Sequence, residues 1–248
     1  MFSWFRKSPG PAEFDAPIAP GSPFAVIGDI HGSAGLLRQI LQHLETETTG
    51  PVVSVGDYID RGENSAAVLD ILMDRQSRDP ENTICLMGNH EAMLLEFLDS
   101  PTTAGLRWMR HGGRQTLASF GLQSPVFDAP HDDWISLRDG FADRLGPDRL
   151  DWLRGLPLYW QSGNVVVAHA AADPSLPLDR QSAQSLLWGH PDFLRRSRQD
   201  GLWIAHGHTI VDKPTAEHGR IATDTGAYAT GRLTAAWITT GDIHFTCT

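Results

Sequence analysis

The most regular feature of the chain is an alternation of short apolar runs and longer amphipathic stretches between residues 24 and 99. The apolar runs FAVIG, VVSVG and TICLMG are short and continuous, as is typical of strands that are covered on both faces. Each is followed by a stretch with apolar residues at helical spacing, namely SAGLLRQILQHLE, NSAAVLDILMDRQ and HEAMLLEFLD. Three such units in succession predict β–α–β crossovers and therefore a parallel sheet.

The pattern changes in the middle of the chain, at about residues 100–161. Helical spacing at 114–120 and 132–144 predicts a mostly helical insertion there. Five short runs follow and predict further strands of a mixed sheet, the last few of them antiparallel: NVVVAHA, GLWIAHGH, GRIATDTG, RLTAAWI and DIHFTCT. Residues 1–23 are rich in Pro, Gly and Ala and predict a flexible leader, which leaves 24–248 as a single domain.

Polar residues with ligand or catalytic chemistry follow every strong apolar run. Asp29 and His31 come directly after FAVIG, and alternate residues of extended backbone project to the same side. The pattern recurs as GDYIDRG after the second run, GNHE after the third, and HA and HGHT after NVVVA and GLWIA. Ligands of open α/β sheets bind beyond the carboxyl ends of the strands, so the sequence predicts one shared site.

The donors that these strand ends supply are typical of a metal centre: Asp29, His31, Asp57, Asn89, His169 and His208. Oxygen and imidazole donors without thiolate suit manganese, iron or zinc. Six donors exceed the three protein ligands of a catalytic zinc and suit a pair of ions. A carboxylate must bridge such a pair, and Asp57, after the second and central strand, is the predicted bridge.

Composition and charge restrict the partners of the site. The formal net charge of −10 disfavours binding to nucleic acid, because the surface repels a phosphate backbone. The two cysteines, Cys85 and Cys247, form no CxxC motif, and the chain shows neither a secretory signal nor an apolar run of membrane length. These features predict a cytoplasmic protein without stable membrane association.

The motifs GDIHG, GDYIDRG, GNHE, HA and GHT together resemble the signature of calcineurin-like metallophosphoesterases. Within these, the chain most resembles the bacterial and phage branch of the serine/threonine phosphoprotein phosphatase (PPP) family, over about residues 24–238. The resemblance implies an α/β fold, an αββα sandwich of two mixed β-sheets flanked by helices. It also implies hydrolysis of phosphomonoesters by in-line attack of metal-bound hydroxide, on a phosphorylated protein or a small phosphoester.

The resemblance further implies a role for each motif residue. Two metal ions, with manganese preferred and iron or zinc as alternatives, would share Asp57 between two groups: Asp29 and His31 in the first, and Asn89, His169 and His208 in the second. Three residues would act on the substrate: His90 as general acid, Asp60 as the residue that orients it, and Arg61 as the phosphate ligand.

One position departs from the family pattern. Bacterial relatives carry a second phosphate-binding arginine two residues after the tryptophan of an L-[LI]-W segment, and here that position is His190. A histidine at a substrate-binding position offers one donor and only when protonated, whereas an arginine binds two oxygens at any pH. Either an arginine of the following segment (Arg195, Arg196 or Arg198) substitutes, or the substrate needs less clamping.

The departure at His190 leaves two alternatives to a serine/threonine protein phosphatase. One is a hydrolase of dinucleoside polyphosphates, and the other is a non-catalytic metal- or phosphate-binding protein on a phosphatase fold. Three further residues have open roles. His206 is expected outside the ligand set, Asp224 is expected either to orient a ligand histidine or to end a turn, and His111 is expected within the insertion.

Overall fold

A computed structural model describes residues 14–47, 49–126 and 129–248 of the chain. Residues 1–13 of the predicted leader lie outside the described residues. Within those ranges, no helix has the length and apolar character needed to cross a bilayer.

The first sheet has the order β10-β9-β1-β2-β3, and its strands are β1 (Phe24–Ile27), β2 (Val52–Ser54), β3 (Thr83–Cys85), β9 (Thr234–Thr239) and β10 (Asp242–Cys247). β1, β2 and β3 are parallel, as the alternating pattern predicts, with Ala25 opposite Val52 and Val52 opposite Thr83. β9 pairs antiparallel with β1 and β10 with β9. The prediction that the second strand is central is therefore wrong, because the C-terminal hairpin extends the sheet on the β1 side.

The second sheet has the order β4-β5-β6-β8-β7, and its strands are β4 (Tyr159–Ser162), β5 (Val165–Ala168), β6 (Trp203–His206), β7 (Thr215–Glu217) and β8 (Arg220–Ala222). β5, β6 and β8 are parallel, whereas the edge strands β4 and β7 pair antiparallel. β4 begins inside the region predicted as insertion. Its side chains alternate, with Tyr159 and Gln161 exposed and Trp160 and Ser162 facing inward, so it lacks the continuous apolar run by which the inner strands are found.

The helices connect and cover these sheets: α1 (Ala34–Glu47), α2 (Ser65–Arg78), α3 (Asn89–Asp99), α4 (Pro101–Trp108), α5 (Arg114–Ser119), α6 (His131–Leu145), α7 (Pro147–Arg154), α8 (Ala183–Trp188) and α9 (Ala227–Thr230). A segment with a π-helical hydrogen-bond pattern, Met109–Gly113, joins α4 to α5 across a kink at Gly112, and a short 3₁₀ turn covers Leu178–Arg180. Residues 101–119 and 131–154 are thus largely helical.

The two sheets pack face to face through an apolar layer. In this layer Val53 of β2 and Leu86, which follows β3, belong to the same cluster as Val167 and Ile221 of the second sheet. A larger cluster fills the space between the first sheet and α1, α2, α3 and the middle helices. A third cluster lies on the outer face of the second sheet, against α8. This layering confirms the predicted αββα sandwich of two mixed sheets flanked by helices.

The described part of the predicted leader, residues 14–23, lies against the second sheet. The side chain of Ile18 is buried, and the backbone N–H of Ala19 donates to Asn164 Oδ1 at 2.8 Å. Asn164 Nδ2 donates in turn to the carbonyl of Pro17 at 2.9 Å, and the ring of Phe14 meets Trp203 edge-on at 5.1 Å. Residues 14–23 are therefore packed and not free. The Pro/Gly-rich composition does not reveal this, because the contacts are made with residues far away in the sequence.

Candidate metal centre

The candidate site lies at loops with unusual backbone geometry. Non-glycine residues rarely adopt positive φ, yet five of the predicted site residues do: His31 (43°), Asp57 (52°), Asp60 (70°), Arg61 (66°) and His208 (63°). In the part of the chain that the structure describes, the one other such residue is His218. Each strained residue costs roughly 1–3 kcal/mol and persists only where the surroundings enforce it. Their concentration here indicates that the loops are shaped for a site.

The first group of donor atoms comprises His31, Asp57 and His90, whose ligand atoms lie within 4.8 Å of one another. His31 Nδ1 donates to the carbonyl of Ile59 at 2.8 Å, so its Nε2 is left with a lone pair, 3.4 Å from Asp57 Oδ2. Burial lowers the pKa of His31 to about 3, which keeps the imidazole neutral. A neutral imidazole held by a backbone carbonyl is the form in which histidine binds a metal.

The second group comprises Asp57, Asn89, His169 and His208. Asn89 Oδ1 lies 2.8 Å from both His169 Nε2 and His208 Nδ1, and Asp57 Oδ1 lies 3.4 Å from His169 Nε2. His169 Nδ1 faces the carbonyl of Val55 at 3.2 Å and therefore carries the ring proton. His169 Nε2 then presents a lone pair to the lone pairs of the Asn89 oxygen.

These residues fit a pair of cations. Lone pairs that converge at hydrogen-bond distance repel one another unless a positive charge lies between them. His31 Nε2 is also buried without a hydrogen-bond partner among the described residues. Asp57 faces the first group with Oδ2 and the second with Oδ1, which is the geometry that a bridging carboxylate requires.

Asp29 occupies a different place from the other predicted ligands. Its two carboxylate oxygens accept the backbone N–H of His208 at 3.1 and 3.0 Å, and among the described residues it belongs to neither group of converging ligand atoms. Burial raises the pKa of Asp29 well above its ordinary value, and the neighbouring carboxylates of Asp224 and Asp57 raise it further. Three buried carboxylates this close together favour a nearby cation.

Asp224 lies beside Asp29 and also makes a turn contact. It accepts the backbone N–H of Gly226 at 2.8 Å, and burial raises its pKa to about 6. Of the two roles left open from the sequence, the contact with Gly226, two residues further on, is that of a turn aspartate.

His90 and Asp60 form a buried pair with a 2.6 Å contact between His90 Nδ1 and Asp60 Oδ2. The other His90 nitrogen, Nε2, lies 3.8 Å from Asp57 Oδ2 and so points into the centre. Burial alone would lower the pKa of His90, but the carboxylates of Asp57 and Asp60 raise it above its ordinary value. The protonated ring is therefore favoured, as a general acid requires.

The helical insertion holds Asp60 in place, which the sequence did not indicate. Trp108 Nε1 donates to both Asp60 oxygens, at 3.1 and 3.0 Å, and the Thr116 hydroxyl donates to Asp60 Oδ1 at 2.6 Å. Thr116 Oγ1 also accepts the backbone N–H of Asp60 at 2.9 Å. Both residues are buried, so the insertion fixes the rotamer of the carboxylate that orients His90.

Glu91 is a third buried residue whose role does not show in the sequence. Glu91 Oε2 accepts the backbone N–H groups of Asp57 at 2.8 Å and Gly88 at 3.0 Å, and Oε1 accepts that of Tyr58 at 2.8 Å. Burial, with the nearby Asp57 carboxylate, raises the pKa of Glu91 to about 8. A glutamate three residues after a helix N-cap is the signal for such a contact, and Gly88 is the N-cap of α3.

We expect Glu91→Ala to lower the free energy of unfolding by about 3–4 kcal/mol, because the buried N–H groups of Asp57 and Tyr58 lose their acceptor and a cavity is left. Urea denaturation of the metal-stripped protein measures this. The matched control is Glu96→Ala, on the solvent side of the same helix and paired with Arg107 at 3.2 Å, with a change below about 0.5 kcal/mol. Equal effects of the two substitutions would mean that Glu91 does not hold the loop.

Arg61 reaches across the site from the same loop as Asp60. Its guanidinium carbon lies 4.9 Å from the centre of the Tyr228 ring, and Tyr228 meets the His31 ring edge-on at 5.2 Å. Tyr228 is about two-fifths exposed, so it forms part of the wall of the centre. The sequence gives no signal for it, because Tyr228 lies outside the motifs that follow the strands, in the short helix α9.

His190 lies on the other side of the centre, in the wall of a cavity of about 350 Å³ that His208 also lines. Its Nε2 is 3.6 Å from the carboxylate of Asp173. Two of the arginines considered as substitutes are paired elsewhere, Arg196 with Asp192 and the buried Arg198 with Asp200; neither these nor Arg195 line this cavity.

His206 and His111 differ in their distance from the candidate metal centre. His206 Nδ1 contacts the carbonyl of Gly207 at 3.0 Å, and its ring packs edge-on against Phe193, outside both groups of donors. His111, in the π-helical segment, has its ring 6.5 Å from that of His90. The insertion thus reaches the rim of the centre.

Comparison with known proteins gives a match to the family described as calcineurin-like phosphoesterase, over residues 22–212. A curated relative, serine/threonine-protein phosphatase 2 of Salmonella typhimurium, is 30% identical over 221 residues, which cover 84% of this chain and 89% of the relative. Two solved structures share the fold. One, a proposed diadenosine tetraphosphatase, has a TM-score of 0.61 at 19% identity and covers 94% of this chain and 98% of its own. The other, a cold-active protein tyrosine phosphatase, has a TM-score of 0.58 at 17% identity, and the match covers 92% of this chain and 81% of the other.

Proposed function

Since the chain belongs to the calcineurin-like phosphoesterase family and is a metal-dependent phosphoester hydrolase, we propose that it removes phosphate from phosphoserine and phosphothreonine in proteins. The bacterial relative of similar length, named a serine/threonine-protein phosphatase, supports this substrate class. The family also implies a centre of two metal ions, and the intact residues His90, Asp60 and Arg61 argue against a non-catalytic binding protein.

In this proposal, the ligands of the two ions are the six residues predicted from the strand ends: Asp29, His31, Asp57, Asn89, His169 and His208. Two cations bound there lower the pKa of a water molecule and neutralise charge on the phosphate. Manganese is the proposed native metal, with iron or zinc as alternatives, because carboxylate, amide and imidazole donors occur without thiolate.

The chain's own residues bind the phosphate and move the proton. Arg61 donates to the phosphate oxygens and holds the phosphorus in line for attack. The Tyr228 ring, against which the guanidinium lies at 4.9 Å, limits the rotamers that Arg61 can adopt. Asp60, fixed by Trp108 and Thr116, keeps the His90 ring oriented with Nε2 toward the centre, where it gives its proton to the leaving oxygen.

The observation that carries the proposal is the buried His90–Asp60 pair, with its 2.6 Å contact. The alkoxide of serine or threonine is a strongly basic leaving group and needs a proton as it departs. A phenolate or a nucleoside phosphate is a much weaker base and leaves without one. A rigidly held acid is therefore most useful on an alkyl phosphate.

A direct comparison of substrates tests the proposal. With Mn²⁺ present, we expect kcat/KM for a phosphothreonine peptide to exceed that for diadenosine tetraphosphate by at least about tenfold, which is about 1.4 kcal/mol of transition-state binding. p-Nitrophenyl phosphate serves as the control for an active metal centre. A preference for the dinucleotide would instead assign the chain to dinucleoside polyphosphate hydrolysis.

We further propose that the protein works in the cytoplasm. Cys85 and Cys247 are both free in the structure, which agrees with a reducing compartment. The net charge of −10 supports a substrate other than nucleic acid.

A further inference from the structure

A cavity of about 390 Å³ opens on the side of the centre away from His190. The residues that line it are Arg61, Arg110, His111, Gly112, Gln115 and Tyr228. It adjoins the centre directly, because Tyr228 contacts the His31 ring and His111 lies 6.5 Å from the His90 ring. We call it the Arg110 cavity.

The π-helical segment Met109–Gly113 builds one wall of the Arg110 cavity. The backbone at Gly112 is not helical (φ 110°, ψ 6°), so the chain is kinked at this position. Here the turn brings Gly112, with φ of 110°, onto Arg61: the Gly112 carbonyl accepts the Arg61 backbone N–H at 3.3 Å. A Cβ at position 112 would lie 2.5 Å from the Arg61 nitrogen, so only glycine permits this approach.

The chemistry of the lining is that of an anion site. It includes two guanidinium groups, an imidazole, an amide and a phenol, and no carboxylate. This local character opposes the net charge of −10 on the whole chain. His111 Nδ1 lies 2.8 Å from the Arg107 carbonyl and so carries a proton, which holds the ring at the rim. Guanidinium groups bind carboxylates and phosphates with paired, charge-assisted hydrogen bonds.

The opposite side of the centre has a different character. The position at which an arginine was expected is His190, and its nearest charged partner is the Asp173 carboxylate at 3.6 Å. Apolar side chains, among them Trp188, Pro191 and Phe193, dominate that wall. Guanidinium groups among the lining residues of these two cavities thus lie on the Arg61 side alone.

We propose that the Arg110 cavity binds a second anionic group of the substrate, so that the enzyme selects phosphoserine or phosphothreonine with a carboxylate or another phosphate close by. This inference rests on the proposed protein phosphatase activity. Arg61 holds the phosphate that is hydrolysed, while Arg110 and Gln115 hold the neighbouring anion. The second anion is the chemistry common to an acidic side chain and a second phosphorylated residue.

Three phosphothreonine peptides of equal length test the inference: one with neutral neighbours, one with glutamates, and one with a second phosphoserine. We expect either or both anionic peptides to exceed the neutral one in kcat/KM by about tenfold at low salt, and less at high salt. Arg110→Ala should reduce this ratio to below about twofold. Gln115→Glu should bring it below one, because a carboxylate then faces the anion.

Arg107→Ala is the matched control. Arg107 is three residues away and its substitution removes the same charge, but its guanidinium lies over the Trp188 ring, outside the Arg110 cavity. It should keep the wild-type ratio, and melting curves establish that each variant is folded. A preference for the peptide with glutamates identifies the second anion as a carboxylate. A preference for the peptide with a second phosphoserine identifies it as a phosphate, and either result supports the site.

The inference would be overturned if the ratio of kcat/KM between anionic and neutral peptides were the same in wild type and Arg110→Ala. It would also be overturned if Arg107→Ala reduced this ratio as much as Arg110→Ala does. Turnover of p-nitrophenyl phosphate with Mn²⁺ separates this failure from that of the proposed function. An enzyme that hydrolyses this ester and phosphothreonine peptides without any anionic preference is a phosphatase without the second site. A protein that hydrolyses neither refutes both.

Discussion

Asp57→Asn reduces the turnover of p-nitrophenyl phosphate by about 1,000-fold or more, equivalent to at least about 4 kcal/mol of transition-state stabilisation. The size of the effect follows from the position of the carboxylate. Its Oδ2 faces His31 and its Oδ1 faces His169, each at 3.4 Å, so one substitution weakens both groups of donors. An amide nitrogen on either side donates rather than accepts, and it removes the charge that two cations share.

The control for this substitution is Asp70→Asn. Asp70 is an exposed aspartate on α2, paired with Arg149 at 2.6 Å and remote from the centre, and its variant should stay within about twofold of wild type. If Asp57→Asn kept more than a tenth of the wild-type turnover in saturating Mn²⁺, Asp57 would not be the bridge.

His90→Ala produces an effect that depends on the leaving group. Loss of a general acid costs about 10²–10⁴-fold in rate where the leaving group must be protonated. We therefore expect a fall of that size in kcat for a phosphothreonine peptide, and a much smaller fall for p-nitrophenyl phosphate. The KM for either substrate should change little, because His90 Nε2 faces the leaving oxygen and not the bound phosphate.

Parallel steady-state measurements on the two esters separate this role from a structural one. A variant that merely distorts the centre loses both activities in the same proportion. His43→Ala, on the solvent side of α1 beside Glu47, is the control for a surface histidine and should leave both rates unchanged. Equal losses on both esters would exclude His90 as the proton donor.

Much of the first sheet could be predicted from local pattern. The runs that contain Val26, Val53 and Ile84 are continuous because parallel strands are covered on both sides, and each ends in a polar motif because the crevice lies at that edge. Helical spacing placed α1 and α2 within a few residues of their observed limits. Such features depend on the residue and its near neighbours, which the sequence presents directly.

Features that depend on distant contacts could not be read in this way. Trp108 and Thr116 lie 48 and 56 residues from Asp60, and only the packed insertion brings them to its carboxylate. The approach of Gly112 to Arg61 likewise appears only in the assembled π-helical turn. The order of the first sheet differs from the prediction for the same reason, since the C-terminal hairpin joins β1 from the far end of the chain.

The helical insertion therefore contributes to the chemistry as well as to the core. It supplies two donors to Asp60 and one wall of the Arg110 cavity. The substrate preference proposed for the Arg110 cavity therefore depends on the insertion, whereas the predicted metal donors follow the strand ends.

The most direct test of a two-metal hydrolase is a titration of the metal-stripped protein with Mn²⁺, with bound metal and p-nitrophenyl phosphate turnover measured in the same samples. We predict that turnover rises until two ions are bound per wild-type chain, and that Asp57→Asn binds fewer ions and stays inactive. Full turnover of the wild type with no ion or one ion bound per chain would contradict a two-metal centre. An Asp57→Asn variant that binds as many ions as the wild type and loses no rate would contradict a centre bridged by Asp57.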